Sequence, residues 1–184
     1  MPVWINFALF QLGWFGVVLS GAAEEPGLAT GIAGAVLIVH LFAARRPVPE
    51  LKLALMAGAL GLLLDSLLTG LGLLRFASGQ WVAWAAPLWI VAMWMMFSTT
   101  LNSSLGWMKG RFGLAALLGA LAGPLAYFGG AKLGAVGLHD TLAFSLLGIA
   151  LAWLIAMPLL VWLAEHFDGL SAKRDEALAD PNPH

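Results

Sequence analysis

One acidic residue lies deep inside an apolar segment and is the first candidate for chemistry. Asp65 follows Lys52 after a run of twelve residues without charge. At a helical rise of about 1.5 Å per residue, Asp65 lies about 20 Å from Lys52. In hydrocarbon a carboxylate costs at least about 2.5–3.5 kcal/mol, so we expect it to face a helix bundle, partnered or protonated. Such an acid could bind a proton or substrate, or fix helix register through a buried hydrogen bond; both remain open.

Three further polar side chains are expected near Asp65. Tyr127 lies at a similar depth in another apolar segment, and its hydroxyl could donate to the carboxylate. Thr69 follows Asp65 by one helical turn, on the same face. Lys132 lies nearer the outer surface and could join the same cluster. Asp65, Thr69, Tyr127 and Lys132 therefore form a predicted buried polar site.

A second set of polar residues is expected on the cytoplasmic side of the membrane. Its members belong to three apolar segments, and they are Asn6, Gln11, His40, Ser98 and Asn102. Together they could line a cavity open to the cytoplasm. They could equally form interhelical hydrogen bonds, each worth about 0.6 kcal/mol on average.

Several kinds of chemistry have no support in this sequence. It has no cysteine, and its four histidines do not pair at helical spacing, so we predict no metal. Phosphate-loop, dinucleotide, zincin and serine-hydrolase motifs are missing, so no cofactor and no catalytic residue is assigned. Asp65 is the only clearly deep carboxylate, which disfavours an intramembrane enzyme. A net charge of −1 gives no basic footprint for nucleic acid.

The composition shows which elements must position these residues. Hydrophobic residues make up 61% of the 184, charged residues only 10%, and the mean hydropathy is +0.89. A soluble domain carries about 25% charged residues, so this chain could not cover a water-exposed surface. We therefore predict an all-α fold, a polytopic transmembrane bundle.

Six segments are long enough to cross a bilayer, which takes about 17–25 apolar residues. They cover about 3–22, 26–43, 51–74, 82–104, 112–133 and 140–165. Residues 1–168 are predicted to be one transmembrane domain, and residues 169–184 a polar, disordered cytoplasmic tail. Small residues at 20–23 also permit signal-peptide cleavage, although no basic residue precedes the first segment.

Basic residues predict the orientation of the bundle. Seven lie on the side that holds both termini, and two lie on the other side. The seven are Arg45, Arg46, Lys52, Lys109, Arg111, Lys173 and Arg174, and the two are Arg75 and Lys132. Because basic loops stay inside, both termini should be cytoplasmic in a bacterial-type inner membrane.

Two segments carry small residues at helical spacing, which is typical of close helix contacts in membranes. In the third segment the predicted face is Gly58, Gly61, Asp65, Thr69 and Gly72. In the fifth it is Gly113, Ala116, Ala120, Gly123, Tyr127, Gly130 and Gly134. Gly119 with Gly123, and Gly27 with Gly31, are further matches that are individually weak.

Several stretches resemble a family of small bacterial inner-membrane proteins known only as a domain of unknown function. These stretches are residues 6–15, 45–51, 61–65, 94–107 and 119–127. The resemblance covers most of residues 4–165 and implies an integral membrane protein without an assigned reaction. It also implies genes near lipid-modifying enzymes such as cyclopropane-fatty-acid-type methyltransferases, and no catalytic residues.

Two functions follow as hypotheses. The first is a non-enzymatic accessory or lipid-handling component, whose partners are membrane lipids and a possible second copy of the chain. The second is a small oligomeric transporter or channel subunit in which Asp65 couples protons or ions. A side cavity of acyl-chain shape would favour the first, and a polar path from Asn102 through Asp65 to Lys132 would favour the second.

Overall fold

The computed structural model describes residues 1–171 and consists mainly of six α-helices. They are α1 (Val3–Ala22), α2 (Pro26–Ala43), α3 (Pro47–Gly70), α4 (Leu88–Leu101), α5 (Phe112–Lys132) and α6 (Leu142–His166). Two short strands, β1 (Leu74–Phe76) and β2 (Val136–Leu138), and a 3-10 turn (Gly106–Met108) complete the described part. Residues 172–184 of the expected tail lie outside the described residues.

Five of these helices are long and apolar enough to cross a membrane, and the protein is therefore a multi-pass membrane protein. The exception is α4, whose 14 residues cover about 21 Å. The prediction of a helix over 82–104 was too long at both ends. Residues 81–87 form an irregular segment, in which the amide of Ala86 donates to the Ser66 hydroxyl at 3.0 Å. This tertiary hydrogen bond takes the place of a helical one, and Ala85 donates only to a local turn at Val82.

Proline and glycine account for several helix ends. Pro26 and Pro47 occupy the first turns of α2 and α3, where a missing amide proton costs nothing. The third segment, expected over 51–74, begins four residues earlier at Pro47 and ends four residues earlier at Gly70. Gly72 and Gly134 have φ angles of +73° and +89°, which glycine adopts without strain, and each lies just beyond a helix.

The bundle has two distinct ends. The end that holds the N-terminus and the end of α6 carries most of the described basic residues, and we call it the basic end. These residues are Arg45, Arg46, Lys52, Lys109 and Arg111. At the other end, the sheet end, β1 and β2 pair antiparallel, with Leu74 opposite Leu138. This pairing holds the C-terminal ends of α3 and α5 close together.

The helices form two groups with a partial gap between them. Helix α5 packs mainly on α6, whereas α1 packs on α2 and α4, and α3 packs on α4. In α3 the predicted small face is correct as far as Thr69: Gly58 lies against Met95 and Gly61 against Trp94. Gly72 lies beyond the helix and does not belong to this face.

The predicted face of α5 was wrong in its first half and at Gly134, which is exposed and lies beyond the helix. The buried residues of α5 are Ala115, Gly119, Gly123, Tyr127 and Gly130, while Gly113 is exposed and Ala116 and Ala120 are half-buried. Gly119 and Gly123 lie against Trp153 of α6, so this pair forms a true helix contact. Gly27 and Gly31 have open space around them and pack on nothing in the described chain.

A paired glycine substitution tests this packing. In Gly61→Ala the new methyl group would overlap the Trp94 ring, so we expect a loss of about 1–3 kcal/mol in stability. Gly31→Ala is the control, because no atom lies within 4 Å of its added methyl. Thermal unfolding of both variants in detergent measures the difference. Equal midpoints would contradict the close contact of α3 with α4.

Candidate functional site

The carboxylate of Asp65 is buried at the meeting point of three helices. Its side chain belongs to α3 and is 1% exposed. The Tyr127 hydroxyl of α5 donates to Oδ1 at 2.6 Å, and the Trp94 indole Nε1 of α4 donates to Oδ2 at 2.7 Å. Each carboxylate oxygen therefore has a donor, which offsets part of the cost of burying it.

The other two predicted members of this site do not reach the carboxylate. The Thr69 hydroxyl donates to the backbone carbonyl of Asp65 at 2.7 Å, as serine and threonine commonly do inside helices. Lys132 is exposed, and its ammonium lies 5.2 Å from the centre of the Phe128 ring. Lys132 is the last residue of α5, so its charge lies at the end of the helix and outside the bundle.

Trp94 is a partner of Asp65 that sequence reasoning missed. Its ring stacks on Trp153 of α6, with centroids 4.7 Å apart and planes inclined by 22°. Phe97 meets Trp153 edge-on at 5.5 Å, and Phe10 of α1 meets Phe97 at 5.7 Å. The available signal was the need of a deep indole N–H for an acceptor. The rings of Trp94, Trp153, Phe97 and Phe10 form an aromatic layer, and Asp65 is buried behind it.

A cavity of about 580 Å³ lies on the other side of this layer. Its walls are α1 and α5, and α4 and α6 form its floor. Apolar and aromatic side chains make up nearly the whole lining, which includes Trp94, Trp153 and Met157. Gln11 and Tyr127 are the residues with amide or hydroxyl side chains among those that line it.

The cavity opens at the side of the bundle, between α1 and α5. Several of its lining residues are themselves exposed: Gln11 and Phe15 on α1, and Ala122, Leu125 and Ala126 on α5. Toward the sheet end the two walls approach each other, since a methyl group on Gly129 would lie 3.5 Å from the Trp14 ring. Likewise, a methyl group on Gly134 would lie 3.8 Å from Ala22. The cavity is therefore a wedge that narrows at the sheet end.

A second buried carboxylate, Glu50, lies at the basic end and was not identified from the sequence. His40 Nε2 lies 2.8 Å from Oε2, and the Asn102 amide donates to Oε1 at 2.8 Å. The backbone amide of Gly169 also donates to Oε1, at 2.7 Å. The signal was positional: a helix that begins at Pro47 places Glu50 one turn before Ala54, on the buried face.

The Glu50 network holds the segment after α6 against the bundle. The Asn102 amide donates to the carbonyl of Phe167 at 2.9 Å, and the amide of Arg46 donates to that of Gly169 at 3.1 Å. Lys109 forms an ion pair with Asp168 at 2.8 Å. Residues 169–171, expected to begin a disordered tail, are thus hydrogen-bonded, and Gly169 is buried.

The predicted cytoplasmic-side cluster does not form one cavity. His40 and Asn102 meet at Glu50, whereas Asn6 binds separately: its amide donates to the Thr99 carbonyl at 3.0 Å. Its Oδ1 accepts from Ser104 at 2.8 Å. The Ser98 hydroxyl donates to Met95 within α4, and Gln11 lies on the wall of the apolar cavity. Ser98 thus bonds within its own helix, as short polar side chains commonly do, and the others have separate partners or line the apolar cavity.

Partial burial raises the pKa of the Asp168 carboxyl, but hydrogen bonds from Lys109 and from the amides of Ser171 and Leu170 outweigh it. The net effect lowers its pKa below the ordinary 3.8.

Within residues 1–171, no three acidic or histidine side chains are placed to hold a metal ion.

These features define a class: a multi-pass α-helical membrane protein with two buried carboxylates and a lateral apolar cavity. Residues 3–159 match the model of the family described as "Protein of unknown function (DUF2878)". The chain belongs to that family. Searches of curated proteins and of solved structures found no significant match.

Asp65 should contribute to stability through its two donors. In Asp65→Leu the buried Tyr127 hydroxyl and Trp94 indole lose their acceptor, and each orphaned donor costs about 1–3 kcal/mol. Tyr127→Phe removes one donor and leaves the other, so we expect a smaller loss. Thermal unfolding in detergent of both variants and their combination gives the coupling. Additive effects would contradict a direct hydrogen bond.

Asp168 should stabilise the basic end above, not below, its pKa. A lowered pKa means that its stabilisation is present at neutral pH and is lost as pH falls below about 3.8. Because the pair is partly solvated, we expect Asp168→Asn to cost at most about 1 kcal/mol at pH 7. Melting curves of both proteins from pH 7 to 3 should converge. A constant difference would contradict the ion pair with Lys109.

Proposed function

We propose that this protein is a non-enzymatic lipid-handling component of membrane-lipid physiology, which binds the acyl chain of a membrane lipid in its lateral cavity. The observation that carries the proposal is the apolar wedge between α1 and α5, open toward the bilayer. We further propose that it resides in a bacterial inner membrane with both termini inside, and that it can associate with a second copy.

The dimensions of the cavity suit an acyl chain. Its volume of about 580 Å³ falls within the roughly 300–1,000 Å³ of small-molecule sites. On α5 the lining runs from Leu118 to Gly130, which corresponds to about 18 Å along the helix. That length is more than half of the hydrocarbon thickness of about 30 Å. An extended chain could therefore enter it without leaving the depth at which lipid tails lie.

The chemistry of the lining also favours an apolar ligand. Asp65, the nearest acid, has both oxygens bonded to Tyr127 and Trp94, which separate it from the cavity. Tyr127 presents mainly its ring, because its hydroxyl proton is used by Asp65. No charged side chain lines the cavity in the described part of the chain. A charged solute would find no partner there, whereas a methylene chain would.

The alternative, transport coupled to Asp65, finds no polar route along α3. Between Glu50 and Asp65 the buried face of α3 consists of Leu53, Ala54, Ala57, Gly58 and Gly61, none of which can carry an ion. Lys132, on the far side, is exposed to the surroundings. Lipid binding requires no such route, and we therefore favour it over transport.

Obstruction of the cavity tests the proposal. Ala122→Trp would place an indole on the exposed inner wall of α5, and we expect a several-fold loss of co-purified phospholipid. Leu121→Trp is the matched control: Leu121 neighbours it on the same helix, is 57% exposed and does not line the cavity. Native mass spectrometry counts retained lipid and reports the oligomeric state.

Two results would reject the proposal. One is a wild-type protein that retains no phospholipid under gentle detergent removal. The other is equal retention by Ala122→Trp and Leu121→Trp when both variants unfold at the wild-type temperature. A proton flux in vesicles that Asp65→Asn abolishes would instead favour the transport alternative.

A further inference from the structure

We infer that the bound lipid is an anionic phospholipid from the leaflet at the basic end, with its phosphate beside Arg111. This inference rests on the proposed function and adds to it the headgroup charge and the direction of entry. Three independent features lead to it: the taper of the cavity, the position of its polar wall residue, and the distribution of charge between the two ends.

The taper sets the direction of the chain. Trp14 lies against Gly129, and Ala22 lies against Gly134, so α1 and α5 meet at the sheet end. The lining runs from buried Ala135 and Val136 at the sheet end to Met108 and the exposed Trp107 in the turn before α5. A lipid with a bulky head and a thin tail fits a wedge only with its tail toward the narrow end. The headgroup then lies at the basic end.

The polar wall residue agrees with this direction. Gln11 is exposed on the cavity wall, and within residues 1–171 its side chain has no hydrogen-bond partner. It is the ninth of the 20 residues of α1 and so lies just on the basic-end side of the helix middle. A lipid inserted tail-first toward the sheet end would bring its polar portion toward that side. Its amide can then donate to a lipid oxygen.

Arg111 is the basic residue best placed for the phosphate. Its backbone amide donates to the carbonyl of Met108, a cavity-lining residue, at 2.9 Å. The Arg111 side chain is exposed and has no ion pair in the described part of the chain. Lys109, by contrast, is engaged by Asp168 at 2.8 Å. A guanidinium binds two phosphate oxygens at once. In a zwitterionic headgroup the attached cation partly neutralises the charge of the phosphate, which weakens this attraction.

The sheet end offers no comparable place for an anion. Its exposed acids are Glu24, Glu25 and Asp140, which outnumber Arg75 and Lys132. Lys132 is placed over the Phe128 ring. An anionic headgroup would therefore be repelled where the wedge is closed and attracted where it is open.

Competition between two lipids tests the inference. The purified protein receives equal amounts of phosphatidylglycerol and phosphatidylcholine with identical acyl chains, and native mass spectrometry gives the bound ratio. We expect wild type to prefer phosphatidylglycerol. In Arg111→Gln the bound ratio of phosphatidylglycerol to phosphatidylcholine should fall about fivefold while the variant still binds lipid. Arg111→Lys should keep most of it. Lys132→Gln, which removes a charge at the sheet end, should bind as wild type does.

The outcomes separate this inference from the proposed function. Equal binding of both lipids by wild type, or equal preference in Arg111→Gln and wild type, overturns the anionic assignment. If Ala122→Trp still loses lipid in either case, the acyl-chain cavity stands. If Arg111→Gln does not fold, wild type at high ionic strength replaces it, and a preference that salt leaves unchanged overturns the inference.

Discussion

The cost of placing a carboxylate in hydrocarbon governs the middle of this bundle. Asp65 is tolerated because α4 and α5 each bring a donor to it, and those donors must stay in place for the carboxylate to remain satisfied. Trp94 and Tyr127 are thereby fixed in orientation, and Trp94 in turn stacks on Trp153 of α6. One acid thus links four helices and sets the aromatic floor against which a ligand would lie.

Glu50 has a corresponding effect at the basic end. It joins α2, α3 and α4 through His40 and Asn102, and it holds the segment after α6 through Gly169. Neither carboxylate is bonded to α1. That helix is held by the hydrogen bond from its Asn6 to the Thr99 carbonyl of α4 and by its packing on α2. Because α5 is fixed to α6 and α1 to the other group, the space between α1 and α5 remains unfilled. The polar contacts join α5 and the segment after α6 to α3 and α4, whereas none among the described residues joins α1 to α5, and the lateral cavity lies between those two helices.

Much of this organisation is legible in the residues themselves. The long apolar runs identify the membrane helices because in lipid each segment must satisfy its own backbone. The depth of Asp65 indicates that it faces inward, and its equal depth with Tyr127 makes their contact a reasonable expectation. The spacing of Gly58 and Gly61 predicts a close helix contact. For α5 the same reasoning chose a face rotated by one residue in its first half, since small residues occur on both sides of that helix.

By itself the sequence determined the solvent of this protein, because its apolar composition requires a bilayer. The apolar runs predict six helices, and the depth of Asp65 requires that this acid face inward. Only the tertiary structure decided which helices are neighbours. Trp94 meets Asp65, and Glu50 meets His40 and Asn102, because the order of helices around the bundle brings them together, and no periodicity encodes that order. The loop before α4, the paired strands and the cavity likewise depend on contacts between distant segments. Local patterns report depth and facing, whereas partners and empty space arise only when all helices are packed.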